Sequence, residues 1–320
     1  MSNNPEFDTA SPLFFVINAA SGNNDADATR RVIEESLQAT GRTGELLYAE
    51  RGEIAKTARR AAALARARGT AVIAVGGDGT INAVAQAAYI ENCPLGVVPQ
   101  GTFNYFARTH GIPADAAGAM QLLLHSAPVP VQVGMINEQV FLVNASVGLY
   151  PELLQDREAY KARFGRSRLV AFAAALATLL ARHQQLQLHI ERSSGARDVK
   201  TPTLFVGNNR LQLEQVGLPE AAALDEGCIA AVMLRPIGSL AMLGLLFRGA
   251  FGRLGEADTV ESFKFHRMIV TPRRARYGRK VKVAFDGELS HMSAPIDFRV
   301  APKPLFLLKS GMAQPEPGGV

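Results

Sequence analysis

Val75-Gly76-Gly77-Asp78-Gly79-Thr80-Ile81-Asn82 is the stretch that decides how this chain folds. The apolar run Thr70–Val75 leading into it reads as a buried strand, and Thr80–Tyr89 after it carries helical spacing. A glycine-rich turn between strand and helix lets main-chain N–H groups come close to a polyphosphate, and the helix N-terminus adds the positive end of its dipole. Asp78 adds a hard oxygen ligand of the kind Mg2+ takes when it travels with a nucleotide. One such turn carries little weight. A second one, Val97-Val98-Pro99-Gln100-Gly101-Thr102-Phe103-Asn104-Tyr105-Phe106-Ala107-Arg108, follows the apolar run Cys93–Val98 and opens another helix-like stretch, Asn104–His110.

Working outward, the same rhythm fills the first 130 or so residues. Leu13–Asn18 is an apolar run. Asp25–Ala39 has helical spacing through Val32, Ile33 and Leu37 and stops at Gly41. Gly44–Ala49 reads as a strand, Ile54–Ala67 as a helix closed by Gly69, and Ala114–His125 as one more helix. Strand–helix alternation of this kind predicts an α/β, doubly wound, mostly parallel sheet covered on both faces. Beyond Val133 the pattern changes. Gln139–Val143, Leu186–Glu191, Thr203–Val206, Cys228–Leu234, Val260–Val270, Val281–Phe285 and Ile296–Val300 read as strands, several alternating apolar and polar residues. A long helix is expected near Pro151–His183 and a shorter one near Ser239–Leu254. The expected division is a disordered leader at 1–11, an α/β nucleotide-binding domain at 12–134, a β-rich, sandwich-like domain at 135–310 and a disordered tail at 311–320.

The chain of 320 residues is long enough for two such domains, each with its own core. Its net charge of +5 suits anionic ligands or an acidic membrane surface without selecting between them. Cys93 and Cys228 are far apart, lie in apolar runs and have no metal-binding spacing, so both are expected as buried thiols. The polar N-terminus lacks the charged-then-apolar pattern of a signal peptide, which leads to the expectation of a cytoplasmic protein. The longest apolar stretch, Leu169–Ala181, would span about 20 Å as a helix against roughly 30 Å of bilayer hydrocarbon, too short to cross. It is flanked by Arg163, Arg166, Arg168 and Arg182, and Leu240–Phe251 contains Arg248; either reads as a core helix or as a shallow interfacial one. The densest basic run is Arg273, Arg274, Arg276, Arg279, Lys280 and Lys282. It lacks the aromatic platform of a nucleic-acid binder, so no nucleic-acid partner is expected; a solvated loop and attraction to anionic lipid stay open.

Gly76, Gly77, Gly79 and Thr80 are the candidate phosphate cradle. Asn18, Ser21 and Gly22 follow the first strand, where ligands collect in open α/β sheets, although Ser21 or Asn24 would equally serve as a helix cap. Thr102 and Asn104 offer neutral donors and acceptors, with Gly101 permitting the turn; capping of the next helix is the alternative use.

These segments together resemble the diacylglycerol kinase catalytic-domain family of soluble lipid kinases, which includes bacterial lipid kinases and sphingosine kinases. Asn18-Ala19-Ala20-Ser21-Gly22 resembles the family's Asn-Pro-x-Ser-Gly, Gly76–Thr80 its Gly-Gly-Asp-Gly-Thr, and Pro99–Arg108 its Pro-x-Gly-Thr-x-Asn-x-Phe-Ala-Arg. Phe141–Gly148, Leu224-Asp225-Glu226-Gly227 and Asp286-Gly287-Glu288 are similar to segments of its second domain. Gly-Gly-Asp-Gly-Thr also occurs in NAD kinases, and the second loop favours the lipid kinases. The resemblance implies transfer of the γ-phosphate of ATP, with Mg2+, to a lipid hydroxyl in a cleft between the domains. Asp78 and Glu288 would be catalytic, Glu288 as a general base in a partly dry cleft. Asn82 and Asp286 would join the nucleotide-binding set, and Asp78 and Asp225 would hold metal, although Asp286-Gly287 also reads as a hairpin turn and Asp225-Glu226 as a surface turn. A lipid at the membrane surface is the implied partner, with peripheral association; a homodimer stays open. Besides Ala19 in place of Pro, three positions depart from the family by losing a carboxylate: Ala83, Tyr105 and Gln132. A weakened or regulatory nucleotide-binding protein of the same fold, and NAD kinase, are therefore the alternatives.

Overall fold

A computed structural model describes residues 4–18, 23–50, 52–148, 151, 185–236, 257–273 and 280–310. The expected helices near Pro151–His183 and Ser239–Leu254, the tail from Gly311, and Ser21 and Gly22 lie outside the described residues. The chain forms two compact units.

The first unit alternates β1 (Leu13–Asn18), α1 (Asn23–Thr40), β2 (Gly44–Ala49), α2 (Ile54–Ala67), β3 (Val72–Gly76), α3 (Asp78–Glu91), β4 (Leu95–Pro99), α4 (Tyr105–Thr109), α5 (Ala116–Leu124) and β5 (Ala127–Val131). β1 pairs in parallel with β2 and β3, and β3 pairs in parallel with β4. Every residue of β3 and β4 is buried, as continuous apolar strands must be when helices cover both faces of a sheet. α2 buries Ala58, Ala61, Ala62 and Ala65, a stripe of small side chains at helical spacing that lets the helix lie close to its neighbours.

The structure corrects two expectations about the domain limits. The leader is docked where it is described: the Asp8 amide donates to the Gly69 carbonyl at 2.7 Å, and the Arg42 guanidinium lies over the Phe7 ring. The second domain also does not run to residue 310. The chain leaves the first unit after Gln132 and returns to it at Pro302. Its last described strand, β18 (Leu305–Lys309), lies between β4 and β5, parallel to the former and antiparallel to the latter. Leu305, Phe306, Leu307 and Leu308 are buried there, and such a run needs a central position. The proline-bearing strand Ala127–Val131, which lacks N–H groups at Pro128 and Pro130, takes the edge.

The second unit comprises β6 (Gly134–Ile136), β7 (Gln139–Phe141), β8 (Asn144–Gly148), β9 (Leu186–Arg192), β10 (Gly195–Thr201), β11 (Thr203–Gly207), α6 (Arg210–Gln215), a 3-10 helix (Pro219–Glu226), β12 (Ile229–Leu234), β13 (Val260–Phe265), β14 (Arg267–Pro272), β15 (Lys280–Phe285), β16 (Glu288–Ser293) and β17 (Ile296–Val300). Two antiparallel sheets, ordered β10-β9-β14-β17-β6-β7 and β13-β12-β11-β8-β15-β16, form a sandwich. Leu188, Ile190, Met268, Val270, Ile296 and Phe298 of one sheet share a core with Ala145, Val147, Leu204, Val206, Met233 and Val283 of the other. The expected single strand Val260–Val270 is two strands in different sheets: the chain changes sheet at His266, whose carbonyl accepts from the Val300 amide at 2.8 Å. Gln139–Val143 likewise ends early at Phe141, because the amides of Leu142 and Val143 donate to the Asp286 carboxylate.

Candidate functional site

In the first unit the two glycine loops meet. α3 begins at Asp78, capped by Gly77, so Asp78 stands in the first turn among N–H groups that have no partner within the helix. A Cβ on Gly101 would lie 2.7 Å from Asn104 Oδ1 and 3.1 Å from Gly77 Cα, and one on Gly76 would lie 2.7 Å from Thr80 Oγ1. Glycine at these places is a packing requirement. Gln100 ties the loops further: its amide donates to the Gly76 carbonyl at 2.8 Å, and its Nε2 donates to Thr29 Oγ1 on α1 at 2.7 Å. The sequence carries no signal for that tie.

Asp78 Oδ2 accepts from the Asn104 amide at 3.3 Å. Oδ1 is buried and has no hydrogen bond of ordinary geometry among the described residues. Burial pushes the carboxyl above its usual range; the amides of Asn104, Asp78 itself and Tyr105 pull the other way and are outweighed. A half-buried, aligned carboxylate with one oxygen not spent on a hydrogen bond fits Mg2+, which binds through one or two carboxylates plus water and phosphate. Asn18 ends β1 beside it, its Nδ2 3.5 Å from Thr80 Oγ1. Asn82 is buried on α3, and Thr102 is exposed at the tip of the second loop.

Asn104 is placed differently from expectation. Its side chain closes its own loop, Oδ1 accepting from the Gly101 amide at 3.0 Å and Nδ2 donating to the Gly101 carbonyl at 2.7 Å. Its backbone is left-handed, φ 47°, which asparagine tolerates. It positions Asp78 and Gly101; the phosphate contact expected of its amide is spent on the loop.

In the second unit Asp286 is a structural clasp. Its Oδ2 accepts from the Leu142 amide at 2.7 Å, and its Oδ1 from Val143 and Asn144 at 2.8 and 3.0 Å. The nucleotide-binding role expected for it is corrected: these three amides occupy both carboxylate oxygens. Asp286-Gly287, both at positive φ, form the two-residue hairpin turn between β15 and β16. Glu288 follows as the first residue of β16, exposed, so its own unit does not supply the dry surroundings expected for a base. Asp225, expected as a metal ligand, sits at the surface in an ion pair. It is 63% exposed and accepts from Arg210 Nη1 at 2.6 Å. Glu226 pairs with Lys264. No group of three or more His, Cys, Asp or Glu suited to a metal occurs among the described residues. Of the basic run, Arg273 is paired with Asp198, and residues 274–279 lie outside the described residues. Among the described residues no helix is long and apolar enough to cross a membrane.

Comparison with known proteins agrees with this geometry. The family model described as "Diacylglycerol kinase catalytic domain" matches residues 12–136. "Diacylglycerol kinase" of Bacillus subtilis (strain 168) is 43% identical over 88 residues, 27% of this chain and 29% of that one. "Probable lipid kinase YegS-like" of Pseudomonas aeruginosa (strain UCBPP-PA14) is 31% identical over 203 residues, 61% of this chain and 65% of that one. The chain thus spans less than two thirds of either relative. A crystal structure of a diacylglycerol kinase from Bacillus anthracis str. Sterne shares the fold over 93% of this chain and 97% of that chain, with a TM-score of 0.68 at 19% identity. Residues 12–136, where the two glycine loops close around Asp78, are thus similar to the diacylglycerol kinase catalytic domain.

Proposed function

We propose that the protein is an ATP-dependent lipid kinase that transfers the γ-phosphate to a lipid hydroxyl. The observation that carries the proposal is Asp78: a half-buried carboxylate whose Oδ1 has no hydrogen bond among the described residues, held at a helix N-terminus between two glycine loops. Phosphoryl transfer needs phosphate positioning, neutralisation of charge and an aligned hydroxyl, with little covalent work for the protein.

The free N–H groups at the start of α3 would hold the phosphates, supported by the helix dipole. Asp78 would hold Mg2+, which when bound neutralises phosphate charge. Asn104 keeps Asp78 aligned through its amide, and Gly101 keeps the second loop close enough for it to do so. As the lipid oxygen bonds to the γ-phosphorus, the bond to the bridging oxygen breaks and ADP leaves. The hydroxyl proton would pass to Glu288, the role the family resemblance implies for it. The acyl specificity, a diacylglycerol or a related lipid, belongs to the same proposal, as does action at the membrane surface from the cytoplasm.

The test is release of ADP by purified protein given labelled ATP and a total lipid extract. Lipid-dependent release supports the proposal, and Glu288→Gln should then lower turnover far more than ATP affinity. ATP binding with no release for any lipid favours the regulatory protein suggested by Ala83, Tyr105 and Gln132. Phosphorylation of NAD in place of lipid would make it an NAD kinase.

A further inference from the structure

Gln100 sits where two walls of the candidate phosphate cradle are joined. In the sheet β3 lies between β1 and β4, so Asp78, which follows β3, stands between the segments that follow its two neighbours. One of those segments leads into α1, and the other is the second glycine loop. A side-chain hydrogen bond joins them, Gln100 Nε2 donating to Thr29 Oγ1 on α1 at 2.7 Å. Gln100 is also the root of its loop. Its amide donates to the Gly76 carbonyl at 2.8 Å, and Gly101 beside it packs against Gly77. Asn104 then holds Gly101 through its side chain and Asp78 Oδ2 through its amide. Contacts therefore run without a break from Thr29 through Gln100, Gly101 and Asn104 to the carboxylate.

The other end of the same amide is a cost to the fold. Gln100 Oε1 is buried and has no hydrogen-bond partner among the described residues. A buried acceptor without a donor lowers stability, and a leucine of similar size would fill the space without that cost. Thr29, half-exposed on α1, would then remain within reach of water. Stability alone does not account for glutamine at this place. Phosphate binding does, because a main-chain donor acts on an oxygen only within about 3 Å, and the spacing of the walls decides how many donors reach at once.

We propose that Gln100 and Thr29 are a positioning pair: their bond sets the distance between α1 and the second glycine loop, and through Gly101 and Asn104 it keeps Asp78 and the phosphate donors in register. Neither side chain touches the reacting atoms. The pair rests on the proposed reading of the cradle as a polyphosphate site and is independent of which hydroxyl accepts the phosphate.

The test is isothermal titration of the full chain with ATP and with inorganic tripolyphosphate, alongside urea unfolding. Thr29→Val and Gln100→Leu should each weaken ATP binding by roughly fivefold to tenfold, the worth of one partly buried hydrogen bond. Tripolyphosphate should weaken by the same factor, because the pair spaces phosphate donors and leaves the nucleoside alone. The double variant should bind no worse than the weaker single one, since both changes remove the same bond. Thr29→Ser, which keeps the hydroxyl, should recover the affinity. The urea midpoint of Gln100→Leu should hold or rise, because the orphaned acceptor is gone. A midpoint that falls along with the affinity would make the pair merely structural and overturn the proposal. Losses that multiply in the double variant, or affinities that stay at the wild-type value in both single variants, would overturn it too. So would a loss seen with ATP and not with tripolyphosphate, which would put one of the two groups on the nucleoside. If the variants follow the expected pattern while the wild type phosphorylates no lipid, the positioning pair stands and the lipid-kinase proposal fails.

Discussion

Asp286→Asn and Asp286→Ala separate a structural carboxylate from a nucleotide ligand. In the native chain both oxygens accept main-chain amides, three in all, at 2.7, 2.8 and 3.0 Å. Hydrogen bonds to a charged acceptor are worth about 1.5–3 kcal/mol each, and water reaches this half-buried residue and recovers part of the loss. Asparagine keeps one acceptor oxygen and tolerates the φ of 45°, so it should cost about 2 kcal/mol. Alanine loses all three bonds and adds strain in the left-handed region, for about 4 kcal/mol. Urea unfolding of the full chain should show these two steps in order. Isothermal titration with ATP should show the same affinity as the wild type for both variants under conditions where they are folded. A variant with an unmoved urea midpoint and ATP affinity down about tenfold would refute the clasp and restore Asp286 to the nucleotide.

Asp78→Asn should lower turnover about a hundredfold or more in a steady-state ADP assay. Because burial raises the folded carboxyl above its unfolded value, the ionised form costs stability above the folded pKa, and that cost fades as pH falls toward the ordinary carboxylate range; thermal melts at neutral pH should therefore find the variant no less stable than the wild type. Gly101→Ala should abolish ATP binding while the melting curve stays cooperative, since the new methyl meets Asn104 Oδ1 and the Gly77 backbone; equilibrium dialysis that finds normal binding would contradict the packing of the loops. His110, half-buried and edge-on to Phe106, has its pKa pushed down from 6.5 to about 4, mainly by desolvation and also by Lys309. A base depressed in this way binds its proton more readily when unfolded, so stability should fall as pH drops from about 6.5 to about 4 and level off below; His110→Gln should remove that part of the slope in pH-dependent unfolding.

The parallel half of the fold was legible in the sequence because each of its buried strands is one unbroken apolar run, and each turn after it is marked by glycine. The antiparallel half was read less well. Gly195–Thr201 and Glu288–Ser293 alternate too weakly to declare themselves, and the junction at His266 looks from the sequence like the middle of one strand.

The cradle itself, Gly76–Thr80 with Gly101, could be named from local residue types, since a loop that needs main chain close to phosphate must omit side chains. Whether a polar side chain is free to act is another matter. Asn104, Asp225 and Asp286 have the right chemistry in the sequence, yet their oxygens are committed to Gly101, to Arg210 and to the amides of Leu142, Val143 and Asn144. The Leu142 amide that Asp286 accepts lies 144 residues away along the chain. Local pattern therefore determined the parallel sheet, the glycine loops and the candidacy of Asp78. Tertiary structure alone decided which carboxylates are spent and that β18 returns to the first sheet, because those outcomes depend on contacts between segments whose spacing along the chain carries no trace of the pairing.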